Sequence, residues 1–493
     1  MAIKRYFAEK DNTITNAFKS DLSTRGTGSN MGASDILETF VIHGQTSASV
    51  SAQNAEQSRV LLQFNVQNIL DDISNGIIPS SSVEYKLKMY NAPHGNTTPL
   101  SFSLGVFLPS KDWSEGSGLD MENYSDAGSS NWEYATATTA WSNTGSDYQT
   151  AAGYSSSFHF SGGIEDMELD IGSFAMDRWR SGELSNYGFL FRMDDEVVSG
   201  AEGSYYTKRF FGRTSEYFFK RPIIEARWDS ARKDNRATFV QSSSLAPATD
   251  NINTVYLYNN IRGQLKDIPG LAGTAQNVLI SLYSGSSGAP DGASLEIINS
   301  SGETVTNITG GLLIENGSNI TGIYSASFAS TSTLTEIYDV WHSGSVQYYT
   351  GSILPKSINA KSLLYEDEYI TDVTNLNSSY LQGQTPRLRV FARKKNWQPS
   401  IHTVATSEIK PEVIESAYYR VSRTVDDMEI LPFGTGSYNY TQLSYDVSGN
   451  YFELDTSNFE SGYSYNLQFC YYLQGSYRQQ PEVFKFRVEE DKA

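Results

Sequence analysis

The stretch Arg59-Val60-Leu61-Leu62-Gln63-Phe64-Asn65-Val66 sets the reading of this chain. Val60, Leu62, Phe64 and Val66 fall on alternate positions, which places four apolar side chains on one face of an extended backbone. After a polar turn, Val83, Tyr85, Leu87 and Met89 repeat the alternation. Beyond a Pro/Gly/Asn stretch, Phe102, Leu104, Val106 and Leu108 repeat it again. Three such runs in succession predict neighbouring strands of a β-sandwich. Around them, Ile36 to Ile42, Met167-Leu169-Ile171 and Tyr187-Phe189-Phe191 read as further strands, and Phe174 to Arg180 as a short helix.

Composition agrees with this reading. Of 493 residues, 39% are hydrophobic, 13% aromatic and only 19% charged, with 32 Tyr and 24 Phe. This profile suits many short strands joined by Ser/Gly/Asn/Thr loops rather than disorder or long helices. At this length several domains are expected. The net charge of −19 argues against a nucleic-acid partner, because counterion release needs clustered Lys and Arg. No apolar run reaches the 18 residues expected of a membrane span, and the start, Met1-Ala2-Ile3-Lys4-Arg5-Tyr6, does not read as a secretory signal. Folding in a cytoplasm, with no membrane partner, is the expectation. The single cysteine, Cys470, lies in a strand-like run and reads as a buried, inert thiol.

The remainder divides at Arg232-Lys233-Asp234-Asn235-Arg236. A second sandwich is expected over 233–361, from Val255 to Asn260, Val278 to Tyr283, Ile323 to Phe328, and a hairpin pairing Tyr338–Trp341 with Gln347–Gly351. A third is expected over 362–493, from Leu388-Val390-Ala392, Tyr418 to Val421, Gln442 to Tyr445, Tyr451 to Leu454, Tyr465 to Tyr471 and Val483 to Val488. Short strands with turn signals make both immunoglobulin-like, although no Cys pair supports the name. The fold class is therefore all-β: a jelly-roll-like sandwich over 1–232, then two smaller immunoglobulin-like modules.

The order of motifs in the first domain resembles the DNRLRE family, the disaggregatase-related β-sandwich domain. The resemblance is carried by Asp11 to Ile14, Gly28 to Gly32, Arg59 to Phe64, Val83 to Asn91, Trp113 to Gly116, Leu169 to Ile171 and Asn186 to Phe189. The long insert at 122–163 departs from that compact pattern. The whole chain is also similar to structural proteins of tailed bacteriophages, marine ones in particular, through Thr27 to Leu37 and Lys220 to Trp228. That likeness implies a virion component, assembled in the host cytoplasm from copies of itself and other virion proteins.

Chemistry-bearing residues are sparse. His43, His94, His159, His342 and His402 show no metal-ligand spacing. The acidic pairs Asp71-Asp72, Asp194-Asp195-Glu196, Glu366-Asp367-Glu368 and Asp426-Asp427 read as solvated turns; a glycosidase needs two carboxylates set across a sugar. Glu115 to Asp120 has oxygen donors for Ca²⁺ but lacks the EF-hand order, so no cofactor or metal is expected.

Two stretches remain as partner-binding candidates. Lys208, Arg209, Arg213, Lys220 and Arg221 interleave with aromatics in an otherwise acidic chain. They fit an acidic neighbouring subunit or an anionic glycan, or else a plain hairpin turning at Gly212-Arg213-Thr214. Trp132, Trp141 and Tyr148 in the long insert are the rings that would stack on a host glycan if exposed. The readings in view are a non-enzymatic virion protein, a carbohydrate-binding adhesin and a polysaccharide-degrading enzyme. The first fits best.

Overall fold

The computed structural model describes residues 2–47, 50–95, 100–121, 129–194, 205–286, 289–355, 368–397 and 411–490. The protein is all-β. Contacts divide it into two compact units, one of Ile3–Ile78 and Ser82–Arg227, the other of Trp228–Ala493 with Met1–Ala2 and Pro79–Ser81.

In the first unit, strand Ile3–Thr15 belongs to two sheets at once. Its first half pairs antiparallel with Ile223–Arg227, Ile3 opposite Arg227. After a register shift between Ala8 and Lys10, its second half pairs with Val50–Phe64, Thr13 opposite Val60. One sheet continues from Ile223–Arg227 to Glu84–Met89 and Met167–Asp170. The other continues from Val50–Phe64 to Phe189–Met193, Phe102–Phe107 and Ser155–Phe160, with Ile36–Ser47 and Tyr205–Phe211 alongside.

The opening stretch behaves partly as expected. Val60, Leu62 and Phe64 are buried. Val66 is not on the strand: it starts a helix, Val66–Ser74, whose buried residues Val66 and Ile69 are one turn apart. Leu61, on the opposite face, is buried as completely as its neighbours. It packs with Ile14 and Leu190 beneath Trp113, Trp132, Ala135 and Trp141. The insert therefore covers the second face of this sheet.

Phe174–Arg180 lies in the helical segment formed by Gly172–Met176 and Asp177–Ser181. The hairpin at Gly212–Thr214 does not form. Tyr205–Phe211 pairs with Ile36–Ser47, whereas Ile223–Arg227 pairs with Ile3–Thr15 and Glu84–Met89, so the chain crosses between sheets here.

The second unit holds two sets of sheets, one drawn from 253–353 and one from 369–489. In the first set, Ile308–Glu315 repeats the sheet-switching device. Ile308 to Gly310 pair with Val278–Ser286, and from Gly311 onward the strand pairs with Ser318–Phe328. Gly310 and Gly311 make room for the crossing: a Cβ on Gly310 would come within 2.7 Å of the Ser325 carbonyl oxygen, and one on Gly311 within 2.9 Å of the Ala275 oxygen. The expected hairpin is present, with Tyr338 opposite Ser352 and Trp341 opposite Tyr349. In the second set, Leu388, Val390 and Ala392 are buried on strand Arg387–Lys394 as their alternation requires. Cys470 is a free, buried thiol on strand Ser464–Leu473.

The stretch 232–236 is an ordered splice. The Arg232 guanidinium donates to both Glu315 carboxylate oxygens at 2.7 Å. Its carbonyl accepts from the Tyr445 N–H at 3.0 Å, and the Asp234 N–H donates to the Tyr445 carbonyl at 3.1 Å. The Asn235 N–H donates to the Thr254 carbonyl at 2.9 Å. A few residues thus bond to both sets of sheets. Arg236 is buried beside Asp339 and Asp234, donating from Nη2 to Asp339 Oδ2 at 2.6 Å and from Nη1 to Asp234 Oδ2 at 2.7 Å. Nη1 also reaches the Tyr256 carbonyl at 2.6 Å, and Trp341 Nε1 donates to Asp339 Oδ2 at 2.7 Å.

Candidate functional site

The basic stretch of the first unit is the natural place to look for a partner surface, and the structure distributes its cations unevenly. Lys208 is fully buried, which corrects the expectation of a solvated contact residue. It sits on a strand whose outer side is closed by Tyr90–Ala92: the Phe211 N–H donates to the Tyr90 carbonyl, and the Ala92 N–H to the Arg209 carbonyl. Its Nζ donates to Asn91 Oδ1 at 2.7 Å, the Glu165 carbonyl at 2.8 Å and the Gly163 carbonyl at 3.0 Å. The Phe160 and Phe210 rings lie 4.5 and 5.0 Å away. Burial lowers this amine to about 8, with Glu165 and Asp166 opposing. Lys208 ties the 163–165 loop to the sheet.

The other cations lie nearer the surface but have partners. Arg209 pairs with Glu38 at 3.2 Å. Lys220 stands 5.0 Å over the Tyr90 ring, and Arg221 donates to the Ser215 carbonyl at 2.8 Å. Arg213 clasps Glu115, donating from Nε at 2.7 Å and from Nη2 at 2.5 Å. These four are half-buried, and each retains part of its surface.

Trp132 and Trp141 are 6% and 5% exposed, so the rings placed at a glycan surface instead roof the sheet. Trp141 Nε1 donates to the Asn131 carbonyl at 2.9 Å, and the Arg59 guanidinium lies 5.0 Å from the Trp132 ring. Tyr148 is half-buried against Phe107, ring centroids 4.7 Å apart. The cause is the apolar outer face of Ile14, Leu61 and Leu190, which needs a cover.

Sequence reading missed what joins the Gly28–Gly32 stretch to the Glu115–Asp120 turn. Asn30 Oδ1 accepts from the Gly118 N–H at 2.8 Å, and Asn30 Nδ2 donates to Ser129 Oγ at 3.0 Å. Asn12 Nδ2 donates to Ser130 Oγ at 2.8 Å, and the Asp11 N–H donates to Glu115 Oε1 at 2.8 Å. A Cβ on Gly116 would sit 2.0 Å from Asn30 Oδ1, so the loops meet at a contact only glycine allows. Glu115, the first oxygen donor of the considered Ca²⁺ turn, is engaged by Arg213 and the Asp11 N–H.

Asp11 is fully buried. Its Oδ2 accepts from the Arg213 N–H at 2.6 Å, and Arg213 Nε lies 3.9 Å from Oδ1. Burial pushes its carboxyl up to about 7; the Arg213 contacts oppose this and Glu115 adds to it. Between pH 4 and 7 the folded unit therefore holds a proton that the unfolded chain has released. This contribution to stability is fully present below the ordinary aspartate range and is lost as pH rises through 7. Asp11→Asn is expected to remove that slope, seen as a flatter dependence of the denaturation midpoint on pH between 4 and 7 than in the parent protein. An unchanged slope would show that Asp11 stays ionised throughout.

On the outer face of the other sheet, Glu225 sits among Arg5, Arg227 and Lys88 at 2.8, 2.5 and 3.7 Å. Burial opposes its charge, but the three cations outweigh it and hold the carboxyl down at about 2.

Among the described residues the histidines do not gather. His159 Nδ1 lies 3.3 Å from Ser103 Oγ, and His342 Nε2 lies 3.1 Å from Ser281 Oγ. His402, Glu366, Asp367, Asp195, Glu196 and the side chain of His43 lie outside the described residues. Among the described residues no group of three or more His, Cys, Asp or Glu side chains is placed to hold a metal ion. Two adjoining clefts of about 350 and 520 Å³ in the last set of sheets share Tyr369, Leu473 and Arg478. No sequence motif had marked them.

No known protein family and no curated protein matches the chain. Among solved structures it is similar to the Yersinia pseudotuberculosis adhesin InvE, at 12% identity over 48% of this chain and 54% of that one, TM-score 0.16. It is also similar to the fibronectin(III)-like modules of Clostridium thermocellum CbhA, at 10% identity over 48% and 86%, TM-score 0.15. A third similarity is to trypsin-activated alpha-2-macroglobulin from Escherichia coli, at 8% identity over 90% and 23%, TM-score 0.16. The chain spans about half the length of InvE. Superpositions this loose say nothing about activity.

Proposed function

We propose that the chain is a non-enzymatic structural component of a tailed-bacteriophage virion, in the neck, tail or head surface, working through the packing of its β-modules against neighbouring subunits. The observation that supports this most is the splice at 232–236. Two sets of sheets joined by main-chain pairing, a bidentate Arg232–Glu315 pair and a buried Arg236 resist hinge motion. A particle subunit that holds its neighbours in register needs such stiffness. The half-buried rim of Arg209, Arg213, Lys220 and Arg221 supplies cations for an acidic neighbour.

The competing reading, a glycan-binding adhesin, loses two of the three rings it rested on, because Trp132 and Trp141 are committed to the interior.

The test is to find the chain in purified particles by mass spectrometry and to place it by electron cryomicroscopy. A fixed copy number in finished particles is expected. A chain abundant in infected cells but missing from particles would overturn the proposal, as would reproducible release of reducing sugar from bacterial polysaccharide by the purified protein.

A further inference from the structure

Each sheet edge presents unpaired backbone donors and acceptors, and proteins normally cover or charge them. In the 253–353 sheets the two end strands differ sharply. The edge of Asn253–Tyr258 is occupied: the Thr254 carbonyl accepts from the Asn235 N–H, the Thr254 N–H donates to Asn235 Oδ1 at 2.9 Å, and the Tyr256 carbonyl accepts from Arg236. Strand Ser444–Asp446, an end strand of the other set, is likewise closed by Arg232 and Asp234.

Among the described residues, strand Val346–Ile353 has no such cover. It ends its sheet and pairs only with Ile337–Ser343. Among the described residues no further backbone hydrogen bond reaches it. Its sequence, Val346-Gln347-Tyr348-Tyr349-Thr350-Gly351-Ser352-Ile353, contains no charge and no proline, in a protein of net charge −19. Val346 is 55% exposed and Tyr349 40% exposed. By contrast, the end strand Met167–Asp170 carries Glu168 and Asp170.

We propose that Val346–Ile353 is a self-association edge, on which the same strand of a second copy adds antiparallel. The strand is self-complementary. Tyr348 is bulged, since Trp341 faces Tyr349 and His342 faces Gln347, so in the two-fold register Thr350 faces Thr350 of the second copy, Tyr349 faces Gly351, Gln347 faces Ser352 and Val346 faces Ile353. The strand itself brings no like charges together; the acid beside it is Glu336, which accepts from Ser352 Oγ at 3.2 Å. The eight residues of the strand carry no charge for a charged partner to pair with, which favours a second copy. The inference deepens the assembly reading and rests on it for its setting. One eight-residue strand makes a small interface, so the pairing is weak between free molecules and strengthened when many copies are held together.

The test uses the full chain. Sedimentation over a concentration series is expected to show reversible dimers. Gln347→Lys with Ser352→Lys sets lysines opposite each other twice, and association should weaken roughly tenfold. Gln347→Lys with Ser352→Glu sets opposite charges there and should restore it. Hydrogen exchange on dilute protein reads the edge directly, with fast exchange expected for the outward amides of this strand. Slow exchange in the dilute monomer would mean that another part of the chain covers the edge, and would overturn the proposal. So would a monomer at every concentration, or dimers indifferent to the charge swap. Particle incorporation is scored separately, so the assembly reading survives if only this edge fails.

Discussion

Asp339→Ala is expected to destabilise the Trp228–Ala493 unit by about 3–5 kcal/mol, the cost of stranding a buried charge. Asp339 receives Arg236 from Nε and Nη2 and the Trp341 indole N–H, and it is fully buried. Removing it leaves Arg236 with Asp234 and the Tyr256 carbonyl only. Asp234, whose carboxyl burial raises to about 6 with Arg236 opposing, is still mostly ionised at neutral pH, but it bonds Nη1, so Nε and Nη2 lose their carboxylate. The loss should extend past the Asp339 site, because Asp234 also fastens the splice to Tyr445. Denaturant unfolding followed by tryptophan fluorescence measures it. Replacing Arg236 and Asp339 by Met and Leu together with Asp234→Asn should recover much of the loss, because none of the three buried charges then remains. A cost under about 0.5 kcal/mol for Asp339→Ala would place the pair in the range of ordinary surface changes and refute its buried role.

Trp132→Ala is the second large effect, at about 3–5 kcal/mol for the Ile3–Arg227 unit. The ring covers Leu61 and Ile14, carries Arg59 at 5.0 Å, and leaves a cavity when truncated. A tryptophan held outward for a sugar would behave differently: its removal would move stability by no more than about 0.5 kcal/mol and abolish glycan binding. A thermal melt of the variant and a glycan-binding assay on the parent therefore separate the two roles. An unchanged melt would return Trp132 to the candidate ligand surface.

The strands were legible because alternation is a local property. Leu388-Val390-Ala392 and the Tyr338–Gln347 hairpin lie where that rhythm puts them. Partners and second faces are not local. Val60, Leu62 and Phe64 announce one buried face, but Leu61 looks like any outward residue until a distant insert is known to lie over it. The sites failed for related reasons. Lys208 and the two tryptophans have ordinary surface or binding chemistry, and only the packing partners decide otherwise. Tyr205–Phe211 and Ile223–Arg227 are close in sequence, with a turn between them, yet join different sheets. The Val66–Ser74 helix was hidden by coincidence, since Val66 satisfies a period of two from Val60 and also opens a helical turn with Ile69.

Cys470 has a practical consequence. Burial raises its thiol above the ordinary range and hides it in strand Ser464–Leu473, while the sequence holds no other sulfhydryl to react. A thiol-specific dye added to the unmodified protein therefore becomes a stopwatch for opening of that strand. It counts each exposure at one known atom, and no engineered label is required.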